Sequence, residues 1–220
     1  MFFERSCPIC HRPAATVCAA CWHALESAPV RWLASPEPGD EHDLEVRSLF
    51  AYTPEAAAML LAAKNGGRRP ILRLAGRELG RSLLDLEPVD AVSWIPAAPG
   101  HRRSRGFDQG RFLARTVAAV LGQPARSLLA RPAGDTGQKG KSRSERLAGV
   151  EVVATRPCHG RLLLIDDVVT TGSSLRRGAD ALFAAGARQV VAATVASSDQ
   201  HRRRSPEVTF GPQPGLGQPA

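Results

Sequence analysis

An α/β fold, with helices on both faces of a mostly parallel sheet, is what the 220 residues predict, and three observations carry that expectation. Short aliphatic runs bounded by Gly and Pro alternate with longer stretches of helical period, the pattern of βαβ units. Aromatic residues are only 5% of the chain while Ala, Leu, Val and Arg abound, which suits helices on a sheet better than a sandwich rich in Tyr and Trp. With 43% hydrophobic residues, the chain has apolar material for one substantial core and a small satellite module.

The elements follow in order. Residues 1–28 are cysteine-rich without regular apolar period, and 29–44, with PVRWLASPEPGD, reads as a Pro-rich linker. From residue 45 the pattern changes: EVRSLFAYT alternates as a strand does, and PEAAAMLLAAKNGG reads as a helix with Pro54 in its first turn. A second helix is expected at RRPILRLAGRELGRSLLDL, then a buried strand at VDAVSWIP stopped by Pro96. AAPGHRRSRG is a basic loop, FDQGRFLARTVAAVLG a helix and ARSLLAR a short strand. The polar segment PAGDTGQKGKSRSERLAG has no hydrophobic period, and a loop of that length is usually a lid or a binding loop. Strand RLLLID, helix SSLRRGADALFAAG and strand RQVVAATVA close the domain as a βαβ unit over 45–198, leaving a Pro/Gly-rich tail at 199–220 that is expected to be disordered.

Two C-x-x-C knuckles, CPIC and CAAC, place Cys7, Cys10, Cys18 and Cys21 where four thiolates can meet one tetrahedral ion, the preference of structural Zn²⁺. The competing dithiol redox reading needs a thioredoxin-like βαβ context that this segment lacks. His11 and His23 are read as surface residues and Cys158 as a small buried hydrophobe. No apolar run of signal-peptide or transmembrane length is visible, so the chain is expected to be cytoplasmic, where thiols stay reduced.

The aliphatic run Leu162–Ile165 ends in Asp166 and Asp167 and then in Thr170, Thr171, Gly172, Ser173 and Ser174. Functional loops of open α/β sheets lie beyond such strand ends. Small residues there let successive backbone N–H groups and hydroxyls turn toward one anion at a helix N-terminus, a cradle for a phosphate monoester. The two acids point to opposite faces of an extended strand, which makes a poor chelating pair but suits acceptors for a vicinal diol. Diol and 5'-phosphate together describe a ribose 5-phosphate. The bland alternative is a strand end followed by an ordinary helix cap.

LLLIDDVVTTGSSL resembles the 5-phosphoribosyl-1-pyrophosphate (PRPP) motif of type I phosphoribosyltransferases. The order of an amino-terminal double C-x-x-C, Lys64 with Gly66, IPAAPGHRRSRGFDQGRFLA, TGQKGKSRSERLAGV and the PRPP motif resembles the ComF family of competence-associated proteins over roughly residues 5–197. That resemblance implies a type I phosphoribosyltransferase-like sheet behind a zinc knuckle. It implies Asp166 and Asp167 as the acids of the site and the Thr170–Ser174 turn as its phosphate loop. Lys64, Arg102, Arg103 and Arg105 would face pyrophosphate or the phosphates of nucleic acid. The family's usual Asn residues are replaced by Asp108 and Gly149. GDTGQKGKS is not a Walker loop, because Asp135 stands where its first Gly is required.

Two function classes stay open at this stage. As an enzyme, the chain would transfer a phosphoribosyl group from PRPP with Mg²⁺, pyrophosphate leaving C1 through an oxocarbenium-like state. As a binding module, it would sense PRPP or hold single-stranded DNA during natural competence and pass it to a helicase. A formal charge of +8 and a pI near 10.1 favour an anionic partner without choosing between these, and they also serve solubility.

Overall fold

The computed structural model describes residues 6–26, 32–35, 44–65, 68–97, 107–132 and 152–198. Its centre is a five-stranded sheet in the order β1-β2-β7-β6-β3, formed by β1 (Trp32–Ser35), β2 (Leu44–Ala51), β3 (Ala91–Trp94), β6 (Arg161–Val169) and β7 (Gln189–Ser197). All neighbours are parallel except β1, which pairs antiparallel with β2. A separate two-stranded ladder joins β4 (Leu129–Ala130) to β5 (Val153–Ala154). The helices are α1 (Ala19–Glu26), α2 (Pro54–Asn65), α3 (Arg69–Arg81), α4 (Gln109–Leu121) and α5 (Ser173–Ala184).

β6 and β7 are aliphatic on both faces, as a parallel sheet covered on both sides requires. Leu163 and Ile165 of β6 share one core with Met59 of α2, Leu79 of α3 and Leu113 of α4. Leu162 and Leu164 face the other core, with Leu175 and Leu182 of α5 and Leu129 of β4. The parallel sheet with flanking helices is the class expected from sequence.

Helices α3 and α4 lie close because glycine lets them. A Cβ on Gly80 would stand 2.7 Å from the Val120 Cβ, and one on Gly76 2.9 Å from the Thr116 Cβ. Asp108 caps α4, its carboxylate accepting from the Arg111 N–H at 3.0 Å. Asp108 therefore has a local structural duty.

Three differences from the sequence reading have simple causes. Trp32–Ser35, inside the segment read as a linker, forms the edge strand β1 because β2 offers it an open ladder. ARSLLAR contributes only a two-residue strand, and Ala125 before it bridges Val92 of β3. Strand β6 runs on through both aspartates to Val169, since β7 pairs with it as far as Ser197. Arg102, Arg103, Arg105 and Gly149, with the 1–5 and 199–220 ends, lie outside the described residues.

The cysteine segment packs onto the main core. Cys7, Val17 and Leu25 belong to the cluster that holds Phe50 and Met59, and Trp22 meets the Phe50 ring edge-on at 5.2 Å. Arg68 ties it down further, donating to the Ser6 carbonyl at 2.7 Å. Among the described residues no helix is long and apolar enough to cross a membrane.

Candidate ribose-phosphate site and thiol cluster

The parallel strands β2, β7, β6 and β3 all end on one side of the sheet. At that side β3 leads to α4 on one face, whereas β6 leads to α5 on the other. The chain therefore parts in opposite directions between two adjacent strands, which opens a crevice at their carboxyl ends. Asp166 and Asp167 stand on the β6 side of this crevice. Ile95 follows directly on β3, its N–H donating to the Ile165 carbonyl at 3.0 Å, and Pro96 and Ala97 come next.

The two acids have different surroundings. Asp167 forms an ion pair with Lys64 at 2.6 Å, both side chains half-buried. Lys64 sits in the last turn of α2, on the same sheet face as Leu163 and Ile165, so strand alternation brings Asp167 to it. Asp166 accepts the Asp167 N–H at 2.8 Å. Burial, and next the negative charge of Asp167, push its carboxyl up from 3.8 to about 8, against the pull of that N–H, Lys64 and Arg131. Asp166 is thus pushed toward its protonated, hydrogen-bonding form beside the Lys64–Asp167 pair.

The turn after β6 is built from small residues at a helix N-terminus. Gly172 adopts φ 76°, a left-handed conformation that costs glycine little, and serves as the N-cap of α5 with no side-chain cap. Thr170, Thr171, Ser173 and Ser174 are exposed there, with the hydroxyls of Thr171 and Ser173 3.0 Å apart. The first amides of α5 have no intrahelical acceptor and sit at the positive end of its dipole. Ser198 fastens the turn to β7, its N–H donating to Val169 O at 2.9 Å and its hydroxyl to Thr170 O at 3.2 Å.

Sequence reasoning missed two members of this neighbourhood. Arg131, which exerts its charge on Asp166, donates from Nε to Pro96 O at 2.6 Å and so braces the β3 end. Ser198 lies two residues beyond the predicted strand RQVVAATVA, at the end of the predicted domain. Neither carries a motif; each is recruited by topology. Lys64 was legible as a charge but not as the partner of Asp167, 103 residues away by subtraction of their numbers.

At the amino end, the Sγ atoms of Cys7, Cys10, Cys18 and Cys21 lie within 4.8 Å of one another. Four thiolates around one ion with Zn–S bonds of about 2.3 Å would be separated by roughly 3.8 Å, so the donors fit with little movement. Burial opposes ionisation of Cys7, yet the N–H groups of Cys10, Cys18 and Ile9 outweigh it and bring the thiol down to about 6. Burial, followed by hydrogen bonding among the thiols, pushes Cys21 up to about 12. His11 is exposed and at φ 61° makes the knuckle turn, while His23 is exposed and contacts Glu26 at 3.1 Å. Cys158 is buried, as expected of a small hydrophobe.

The chain matches no protein-family model and no curated protein. Solved structures to which it is similar include the glutamine PRPP amidotransferase from B. subtilis complexed with ADP and GMP, at 23% identity over 56% of this chain and 26% of that one, TM-score 0.40. Another is the orotate phosphoribosyltransferase from Aeropyrum pernix, at 20% over 69% and 68%, TM-score 0.37. Adenine phosphoribosyltransferase from Saccharomyces cerevisiae aligns at 15% over 84% and 93%, TM-score 0.43. The chain spans about a quarter of the length of the amidotransferase.

Proposed function

We propose that this chain is a phosphoribosyltransferase-type protein that binds PRPP or a related ribose 5-phosphate in the crevice between β3 and β6. The observation that carries this reading is one of order along the chain. Asp166 and Asp167 lie near the carboxyl end of β6 at the crevice, and beyond Val169 the chain turns through Gly172 into the N-terminus of α5. The acids suit the ribose diol, and the amides and hydroxyls of 170–174 suit its 5'-phosphate.

In this reading Asp167, paired with Lys64, is a diol acceptor, and Asp166, pushed toward its protonated form by burial, can both donate and accept. Asp167 is engaged by Lys64, so in this reading it is not offered to Mg²⁺. The ion that accompanies PRPP would be carried by its pyrophosphate. Arg102, Arg103 and Arg105 are assigned to that pyrophosphate on sequence grounds. The same reading includes a cytoplasmic location and a structural zinc held by Cys7, Cys10, Cys18 and Cys21. It also takes in a link to DNA uptake in competence, supported by the motif order shared with ComF proteins.

Calorimetry with PRPP and Mg²⁺ tests the site. Wild type should bind, and Asp167→Asn should bind at least tenfold more weakly. No heat of binding from the wild type would sink the reading. Release of pyrophosphate across a panel of acceptors then decides whether transfer follows binding.

A further inference from the structure

A cavity of about 1050 Å³ opens beside the crevice, walled by the end of β3, the first turns of α3 and α4, and the β4–β5 ladder. Four arginines line it: Arg69, Arg111, Arg115 and Arg131. Its apolar wall is Trp94, Phe107 and Phe112, the two Phe rings meeting edge-on at 6.5 Å. Arg69 lies over the Phe107 ring at 5.1 Å, a cation–π contact that holds the guanidinium at the cavity mouth.

Two of these guanidinium charges, both on α4, are not paired with an acid among the described residues. Arg111 and Arg115 are exposed, one helical turn apart on α4, and among the described residues no carboxylate forms an ion pair with either. Among the described lining residues Asp108 is the single acid, and its carboxylate is engaged at the Arg111 backbone as the cap of α4. A space with flat apolar walls and several guanidinium groups of one sign attracts a planar ligand with more than one oxyanion, because each guanidinium can meet a carboxylate or phosphate with two parallel hydrogen bonds. A neutral heterocycle would leave that field unanswered.

From this we infer that the cavity is a binding site for a multiply anionic aromatic ligand, its ring against Trp94, Phe107 and Phe112 and its oxyanions on Arg69, Arg111 and Arg115. Arg131 links the site to the crevice, since it lines the cavity and also acts on Asp166. The ligand is thereby placed beside the ribose phosphate, as the group that shares the site with it. That role rests on the proposed function; the binding does not.

The test uses the full chain and two anionic probes, pyridine-2,3-dicarboxylate for ring carboxylates and adenosine 3'-monophosphate for a phosphate that is not a 5'-phosphate. Pyridine-3-carboxamide and adenosine are their neutral counterparts. Binding of at least one anionic probe is expected, tenfold or more tighter than its neutral counterpart, and the probe that binds names the oxyanion. Arg111→Gln combined with Arg115→Gln should weaken it at least tenfold, with Arg69→Gln as a second, separate variant expected to act in the same direction. Asp167→Asn should leave probe binding unchanged while it weakens PRPP, so the two readings fail separately. The inference is overturned if neither anion binds, if the neutral compounds bind as well, if neither arginine variant weakens binding, or if Asp167→Asn abolishes it.

Discussion

Asp166 and Asp167 are adjacent in sequence and opposite in character. A carboxyl whose folded pKa is raised to about 8 favours the folded state below about pH 4, and that contribution is lost as the pH climbs through 8. Asp166→Asn should therefore gain thermal stability over the wild type progressively between about pH 4 and 8, with a constant difference above that range. Melting curves across pH check this, and a difference independent of pH would show that Asp166 is not held neutral. Because the side chain is only half-buried, the effect should be modest. Lys64→Met leaves Asp167 without its 2.6 Å partner, so PRPP affinity should fall roughly tenfold, about 1.4 kcal/mol, measured by calorimetry at pH 7. The acids and the Thr-Thr-Gly turn could be read from sequence because each residue type carries its own chemistry. The Lys64–Asp167 pair could not, because it depends on how α2 packs over β6.

At the scale of elements, β2, α3, α4 and α5 were visible because an apolar face repeats with the element's own period, and β3 and β7 as short apolar runs between helical stretches. The contact between α3 and α4 is set by two glycines whose importance no periodicity shows. Gly80→Ala places a methyl 2.7 Å from Val120 and should cost about 1–3 kcal/mol in stability despite the better helix propensity of Ala. Adding Val120→Ala should recover part of the loss, a coupling that a double-mutant cycle of urea melts would measure. If Gly80→Ala is neutral or stabilising, the close crossing is wrong. The strand β1 shows the converse limit. WLAS has too short a pattern to be found among prolines, and it becomes a strand because β2 leaves an unpaired edge.

For the whole molecule, the cysteine module and the sheet share one core, with Cys7 fully buried beside the cluster that contains Phe50. Metal analysis should find one zinc per chain, and Cys7→Ser should lose it. Chelation should lower the melting temperature of the entire chain in one transition rather than release an independent knuckle, since Trp22, Val17 and Leu25 pack against the main core. Two separate transitions by calorimetry would contradict that shared core. The net charge of +8 was plain in the composition, but its concentration in the four-arginine cavity depends on α3, α4 and the residue after β4 converging there.

The sequence by itself determined the alternation of strands and helices, the thiol quartet and the run of acids, hydroxyls and glycine after a buried strand. Those features are local: they repeat with a known period or sit within a few residues of one another. Only the tertiary structure decided that β3 and β6 are neighbours whose chains part to opposite faces, and that Lys64 and Arg131 attend the two aspartates. It also decided that arginines from separate elements surround one aromatic wall. Each of these joins residues far apart in the chain, and the packing of helices on both faces of a sheet is what brings them within reach.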